Sequence, residues 1–237
     1  MFLQHSVKLK NWGMQIGYDH PFQLESAVLR LGFAADLGKG TGGIKNTDER
    51  LTSNQHGVTL YGSYETETNH YIDFFLRAAR SSIKWTDSSK FHNNSYTVAL
   101  GYSKLIDVSN ILSLEPSAKL SYSHVSGTNF VKNNYPVYLE PMDIMVGNVG
   151  LKGIVKLNGK FSTHAKIELN KELLGKTKGS VGSTYFMSKQ RAFWTTIGVG
   201  VKSQLSQNSS LYLDADTNLG NGYRNTYQLN LGVNIKF

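Results

Sequence analysis

Hydrophobic residues recur at every second position along most of the chain, and the last stretch shows it most clearly. Tyr227, Leu229, Leu231, Val233, Ile235 and Phe237 fall on one face, with Gln228, Asn230, Gly232, Asn234 and Lys236 on the other. Such alternation marks a strand with one apolar and one wet face. Ala27, Leu29, Leu31, Phe33, Ala35 and Leu37 repeat it against Val28, Arg30, Gly32, Ala34 and Asp36. Ile72, Phe74, Leu76 and Ala78 do so against Asp73, Phe75, Arg77 and Ala79, and Leu112, Leu114, Pro116, Ala118, Leu120 and Tyr122 against Ser113, Glu115, Ser117, Lys119 and Ser121. Weaker copies run through 58–65, 95–104, 147–157, 161–171, 193–203 and 211–217, and Trp12, Met14, Ile16 and Tyr18 share a face within 7–18. No stretch carries a helical period. The pattern predicts an all-β chain of about eleven visible strands, longer than the roughly 5–6 residues usual in soluble sheets.

The connections read alternately short and long. Segments 19–25, 65–70, 105–110, 157–159 and 204–210 are short, while 38–56, 84–94, 126–143 and 172–190 are long and 218–225 is intermediate. An antiparallel up-and-down transmembrane β-barrel has this organisation, with short periplasmic turns and longer extracellular loops. The polar faces agree, because they carry Arg30, Asp73, Arg77, Glu115, Lys119, Lys152, Lys166, Glu168, Asp214 and Asp216. A sandwich core could not bury charges of both signs, whereas a wet lumen can. On the apolar faces, Tyr18, Tyr64, Tyr102 and Phe237 gather toward the turn side, and Trp12, Tyr96 and Tyr122 toward the loop side. Two interfacial aromatic girdles read this way.

Composition narrows the function. The 237 residues carry a formal charge of +8 and no cysteine, which excludes disulfides and thiolate metal sites. The basic residues are scattered, with no run of three, so a nucleic-acid surface is not expected. No window reaches the ~18 apolar residues of a membrane helix, but a membrane strand needs only ~9–11. The N-terminal MFLQHSVKLKNW lacks the form of a signal peptide, so any export signal is expected upstream.

Residues Ser210 to Phe237 (SLYLDADTNLGNGYRNTYQLNLGVNIKF) resemble the end of an autotransporter barrel, closing on an aromatic residue. WGMQIGYDHP, from Trp12 to Pro21, is similar to that family's second strand, and LSLEPSAKLSYSHV, from Leu112 to Val125, to its seventh. The resemblance covers nearly the whole chain. It implies a twelve-strand translocator of type V secretion, preceded by a plug helix and by a passenger carried to the cell surface. It further implies that Tyr227, Leu229, Leu231, Val233, Ile235 and Phe237 form a signal read by the barrel-assembly machinery, aided by periplasmic chaperones, with outer-membrane lipid as solvent. Some branches cleave at an Asn-Asn pair inside the pore. Asn93-Asn94 and Asn133-Asn134 fall in predicted outside loops, so self-cleavage is not carried over.

No enzymatic chemistry is expected, and neither a cofactor nor a metal. Gly38–Gly43 lacks the order of a phosphate loop. His5, His20, His56, His70, His92, His124 and His164 show no paired metal-ligand spacing. His124 lies near Ser121 and Ser123, but His124 and Ser123 point to opposite faces of a strand. The alternative function is a stand-alone outer-membrane pore or an adhesin acting through its loops.

Residues 1–237 read as one barrel domain lacking its first strand and plug helix. The apolar phase breaks between Leu9 and Trp12, which predicts a bulge at Lys10-Asn11 or a stump of strand ending at residue 9. Either leaves an odd number of full strands and a weak seam between the first strand and 226–237, for want of roughly 25–40 residues.

Overall fold

The computed structural model describes residues 7–44, 48–87, 89–189, 191–221 and 226–235. Its strands are β1 (Val7–Gln23), β2 (Ala27–Ile44), β3 (Arg50–Thr66), β4 (His70–Trp85), β5 (Lys90–Lys104), β6 (Ile106–Asp107), β7 (Leu112–Val125), β8 (Thr128–Lys132), β9 (Tyr135–Leu139), β10 (Met142–Lys156), β11 (Phe161–Leu174), β12 (Lys176–Val181), β13 (Thr184–Lys189), β14 (Phe193–Gln204), β15 (Ser209–Asn221) and β16 (Thr226–Ile235). Eleven long strands form one curled antiparallel sheet in the order β1-β2-β3-β4-β5-β7-β10-β11-β14-β15-β16. The two-residue β6 is an accessory to β7, and β13-β12-β9-β8 make a separate small sheet.

Burial is inverted relative to a soluble protein. The buried apolar residues are small ones such as Ala34, Ala79 and Ala99, whereas Phe33, Leu60, Leu76, Val98 and Leu100 are exposed. The register makes the exposed set one continuous belt: Phe33 opposes Leu60, Leu60 opposes Leu76 and Leu76 opposes Val98. Large apolar surface in such a belt is covered by acyl chains rather than by protein. The concave face holds the alternate positions.

The structure departs from the sequence expectations at several places. First, the predicted loop 38–56 is mostly sheet, because β2 and β3 pair continuously as far as Gly43 and Arg50. Beyond the belt both faces meet water, so hydrophobic alternation lapses although the backbone ladder continues. Second, β1 pairs with β2 in unbroken register from Val7↔Ile44 to Gln23↔Val28, with neither a bulge at Lys10-Asn11 nor a turn after residue 9. Leu9 points to the concave side, where it and Leu51 of β3 flank Gly42 of β2: a Cβ on Gly42 would lie 2.6 Å from one leucine and 3.1 Å from the other. The phase break thus marks two leucines set on the concave side of the extension. Third, the first short turn is Leu24–Ser26 rather than 19–25, which keeps Asp19 in β1.

The predicted loops 126–143 and 172–190 fold into hairpins β8–β9 and β12–β13, which join through β9 and β12. Asn133 and Asn134 turn the first hairpin with φ of 50° and 64°, the two left-handed residues of a type I′ turn. The hairpin leans on β4 and β5: Phe130 stacks on Phe91 at 4.5 Å, and Lys132 sits 3.8 Å above the Trp85 ring and 2.7 Å from Glu49. Asp87, in the β4–β5 turn, accepts from the hydroxyl and N–H of Ser89 and from the Asn133 N–H, and these bonds hold its carboxyl below the usual range.

The short turns share one end and these hairpins the other, so the hairpin end is the extracellular one. Among the described residues β1 and β16 do not meet, since no Cα of one lies within 8 Å of the other. Ten antiparallel steps separate them, so the two edges run in the same direction.

Candidate functional site

The concave face is polar because alternate residues of every strand point there, and it is crossed by ion pairs. Lys152 of β10 meets the directly opposed Glu115 of β7 at 2.6 Å. The other pairs reach two strands. Arg77 of β4 binds Asp36 of β2 at 2.7 Å, Lys166 of β11 meets Asp216 of β15 at 3.1 Å, and His164 meets Asp214 at 3.3 Å. Each passes over a glycine on the middle strand: Gly198 is opposed by both Lys166 and Asp216, Gly200 by both His164 and Asp214, and Gly57 by Asp36, with Arg77 reaching in diagonally from two residues along β4. A Cβ on Gly57 would stand 2.8 Å from Asp36 and 2.9 Å from Arg77. On Gly198 or Gly200 it would overlap the carboxylate and its partner. Lacking a side chain, the glycine leaves a saddle over which its neighbours join.

Asp19 takes part in a similar arrangement over Gly32, accepting from Arg30 at 2.9 Å and from the Tyr61 hydroxyl at 3.2 Å. Further round the sheet a polar ladder crosses four strands. Asn148 donates to Asn170 at 2.7 Å, Asn170 to Thr196 at 3.1 Å, and Thr196 to Asn218 at 2.6 Å. Lys119 lies 5.2 Å above the Phe75 ring. Glu168 and Ser117 flank Gly150 and line one recess with Glu115, Lys152 and Asp214, while Asp73 lies in the same phase of β4 as Arg77. The sequence alone does not single out Asp19, Asp36, Tyr61, His164 or the Asn-Thr ladder. Only the register discloses their partners, although Asp36 already stood in the polar phase.

If Arg77 is replaced by Ala, the partly exposed Asp36 carboxylate loses its partner. We expect a loss of about 1 kcal/mol in urea unfolding from detergent, the scale of a partly exposed pair. A double-mutant cycle with Asp36→Ala measures the coupling, and zero coupling would contradict it.

On the outward face, Trp12, Tyr18, Tyr96 and Tyr102 are exposed, whereas Tyr64 and Tyr122 are half-buried. Tyr122 donates to Asp143 at 2.7 Å, and the same carboxylate oxygen lies 2.8 Å from His124 Nδ1. No hydroxyl nucleophile joins this pair, because Ser121 and Ser123 stand on the other face. Tyr227, Leu229, Leu231, Val233 and Ile235 form one exposed row on β16, while Phe237 lies outside the described residues. Asn93 is in β5, where its amide donates to the Ser126 carbonyl. Among the described residues no three His, Cys, Asp or Glu side chains are grouped as a metal site.

An open antiparallel barrel with an apolar belt outside and a charged wall inside is a transmembrane outer-membrane architecture. Its family is the autotransporter β-domain, to which this chain belongs: the family model matches residues 3–216. The chain is 23% identical over 201 residues to the probable autotransporter YcgV of Escherichia coli K12, covering 78% of this chain and 21% of that protein. It thus spans about a fifth of that relative's length. The β domain of the Bordetella autotransporter BrkA superposes with a TM-score of 0.78 at 18% identity, over 98% of this chain and 92% of that one. The translocator domain of NalP from Neisseria meningitidis gives 0.74 at 13% identity, over 100% and 83%. The transport unit of AIDA-I from E. coli also gives 0.74, at 15% identity, over 98% and 84%. This is an outer-membrane β-barrel domain of the autotransporter family and not an enzyme.

Proposed function

We propose that this barrel supports export of an N-terminal passenger to the cell surface and then anchors it. The observation that carries this reading is the concave wall: charges of both signs are paired along it, so it presents a hydrated surface to a chain in transit. Outer-membrane lipid covers the belt. In the native full-length protein, upstream segments should be cleaved by protease added to intact cells. Deletion of residues 1–237 should leave those segments protected. Surface cleavage that persists without the barrel would refute the proposal.

The same reading has the sheet closed by one further strand, beside a plug helix. The support is the direction of the edges. Direct pairing of β1 with β16 would be parallel, whereas one strand antiparallel to both satisfies each edge. Backbone groups left unpaired in lipid cost several kcal/mol each. We assign the β16 row from Tyr227 to Ile235, with Phe237, to recognition by the barrel-assembly machinery after delivery by periplasmic chaperones. Phe237→Asp, or deletion of Phe237, should cut outer-membrane insertion sharply while synthesis continues. The direct lipid cost near the interface is only about 0–1 kcal/mol, so a large defect reports lost recognition. Insertion at the unmodified level would end this assignment. The six outward girdle aromatics, Trp12, Tyr18, Tyr64, Tyr96, Tyr102 and Tyr122, set the depth of the barrel at the two interfaces.

A further inference from the structure

The outward face of β1–β5 changes character abruptly above the belt. Lys10 on β1, Lys39 on β2, Arg50 on β3, Arg80 and Lys84 on β4 and Lys90 on β5 all stand on the lipid-side phase of their strands, and all are exposed. His56 and His92 lie among them. No carboxylate shares this phase on the five strands. The turn carboxylates Glu49 and Asp87 are engaged with the β8–β9 hairpin, and Asp48 remains in the β2–β3 turn. Among the described residues none of the six cations forms an ion pair. Lys84 and Lys90 are directly opposed across the β4–β5 ladder, an arrangement that destabilises a sheet unless an anion lies between them.

Depth identifies the anion. Lys39 follows the belt residue Leu37 by two positions, and Arg80 follows Ala78 by two, which is about 7 Å along a strand. Their charged ends therefore lie where the acyl layer gives way to headgroups, beside the exposed Trp12. The patch is a sector rather than a ring, since on β7, β10, β11, β14, β15 and β16 the corresponding outward positions carry Lys171 as the one Lys or Arg among the described residues. A general stop-signal at the membrane boundary would be distributed evenly. We propose that this sector is a docking surface for the phosphate groups of outer-leaflet glycolipid, held with their acyl chains against the belt of β1–β5. The inference rests on the membrane placement of the belt, but not on passenger export.

The test uses the full chain purified from outer membranes and placed in nanodiscs of zwitterionic lipid. These are supplemented with bis-phosphorylated lipid A, with the same glycolipid freed of phosphate, or with inorganic phosphate in solution. Native mass spectrometry reads retained lipid, and the heat-dependent gel shift reads stability. Phosphorylated lipid A should be retained and should raise the melting temperature, and the other two additions should do neither. Lys39→Gln, Arg80→Gln, Lys84→Gln and Lys90→Gln together should lower retention at least about tenfold. An equal charge loss at Lys171, Lys176, Lys178 and Lys189 should leave it unchanged. The Lys84→Gln, Lys90→Gln pair keeps the test open should the fourfold variant not fold. It should be at least as stable as the parent in zwitterionic lipid, yet retain less lipid A. Equal loss in the control set, equal retention of dephosphorylated lipid, a matching shift from inorganic phosphate, or undiminished retention in the patch variants would each overturn the proposal.

Discussion

Replacing Leu60 with Arg should destabilise the inserted barrel by about 2–4 kcal/mol, whereas Arg at an outward position near the headgroups should cost about 0–1 kcal/mol. Leu60 is central in the belt, between Phe33 on β2 and Leu76 on β4. No neighbouring carboxylate faces outward there, so a guanidinium must reach for an interface. Thr52 is the matched control, on the same face of β3 but in the extension above the belt, with its opposed Lys84 changed to Gln in both backgrounds so that the new Arg meets no like charge. Urea titration followed by the heat-dependent gel shift compares the two variants. Equal effects at Leu60 and Thr52 would mean that the exposed apolar belt is not facing acyl chains.

The second large effect is expected at a glycine. Gly198→Leu would drive a branched side chain into the space where Lys166 meets Asp216. Overpacking costs about 1–3 kcal/mol, and the severed pair leaves an unpartnered ammonium and carboxylate on the concave wall. We expect a total of about 3 kcal/mol or more, the range of mutations with a definite steric cause. Gly153→Ala is the contrast. Gly153 faces outward, and a Cβ there would meet Leu114 at 3.8 Å, an ordinary contact. That substitution should be neutral or mildly stabilising, because a strand glycine gains from a side chain where there is room. Removing Lys166 and Asp216 first, by Ala at both, should relieve most of the Gly198→Leu penalty. If the penalty remained, the saddle would not be its origin.

These two sites differ in how far the sequence disclosed them. Leu60 belongs to an alternating stretch, and Phe33, Leu76 and Leu100 behave likewise. Lipid selects an apolar residue at every second position, so the phase is written directly in the chain. Where that selection ends, the pattern lapses: Thr41 on β2 is as regularly paired as Leu31, yet it stands between Lys10 and Thr52, where no acyl chain selects an apolar residue. The hairpins at 128–139 and 176–189 have the sequence character of loops for the same reason, since an exposed polar ladder is favoured by its partner strand and not by its own composition. Gly198 and Gly200 show a third case. Both sit in the polar phase of a legible strand, but their purpose depends on residues 32 and 18 positions away for the first, and 36 and 14 for the second. Local periodicity carries no trace of such distant registration. Leu9 leaves the outward phase for the same reason, since Leu51, which faces it across Gly42, lies two strands off.

The union of β9 with β12 has a practical meaning for anyone wishing to present foreign peptides on this scaffold. The excursions at 126–141 and 175–192 leave different pairs of barrel strands, and would ordinarily be treated as independent insertion cassettes. Here they share a ladder, with Leu139 opposed to Gly179 and Val137 to Val181. An epitope spliced at Gly182, whose φ of +56° already bends the tip, would hang from a four-stranded platform braced against Trp85 and Phe91. One that breaks β9 would free both excursions together, so the two addresses are a single site for grafting.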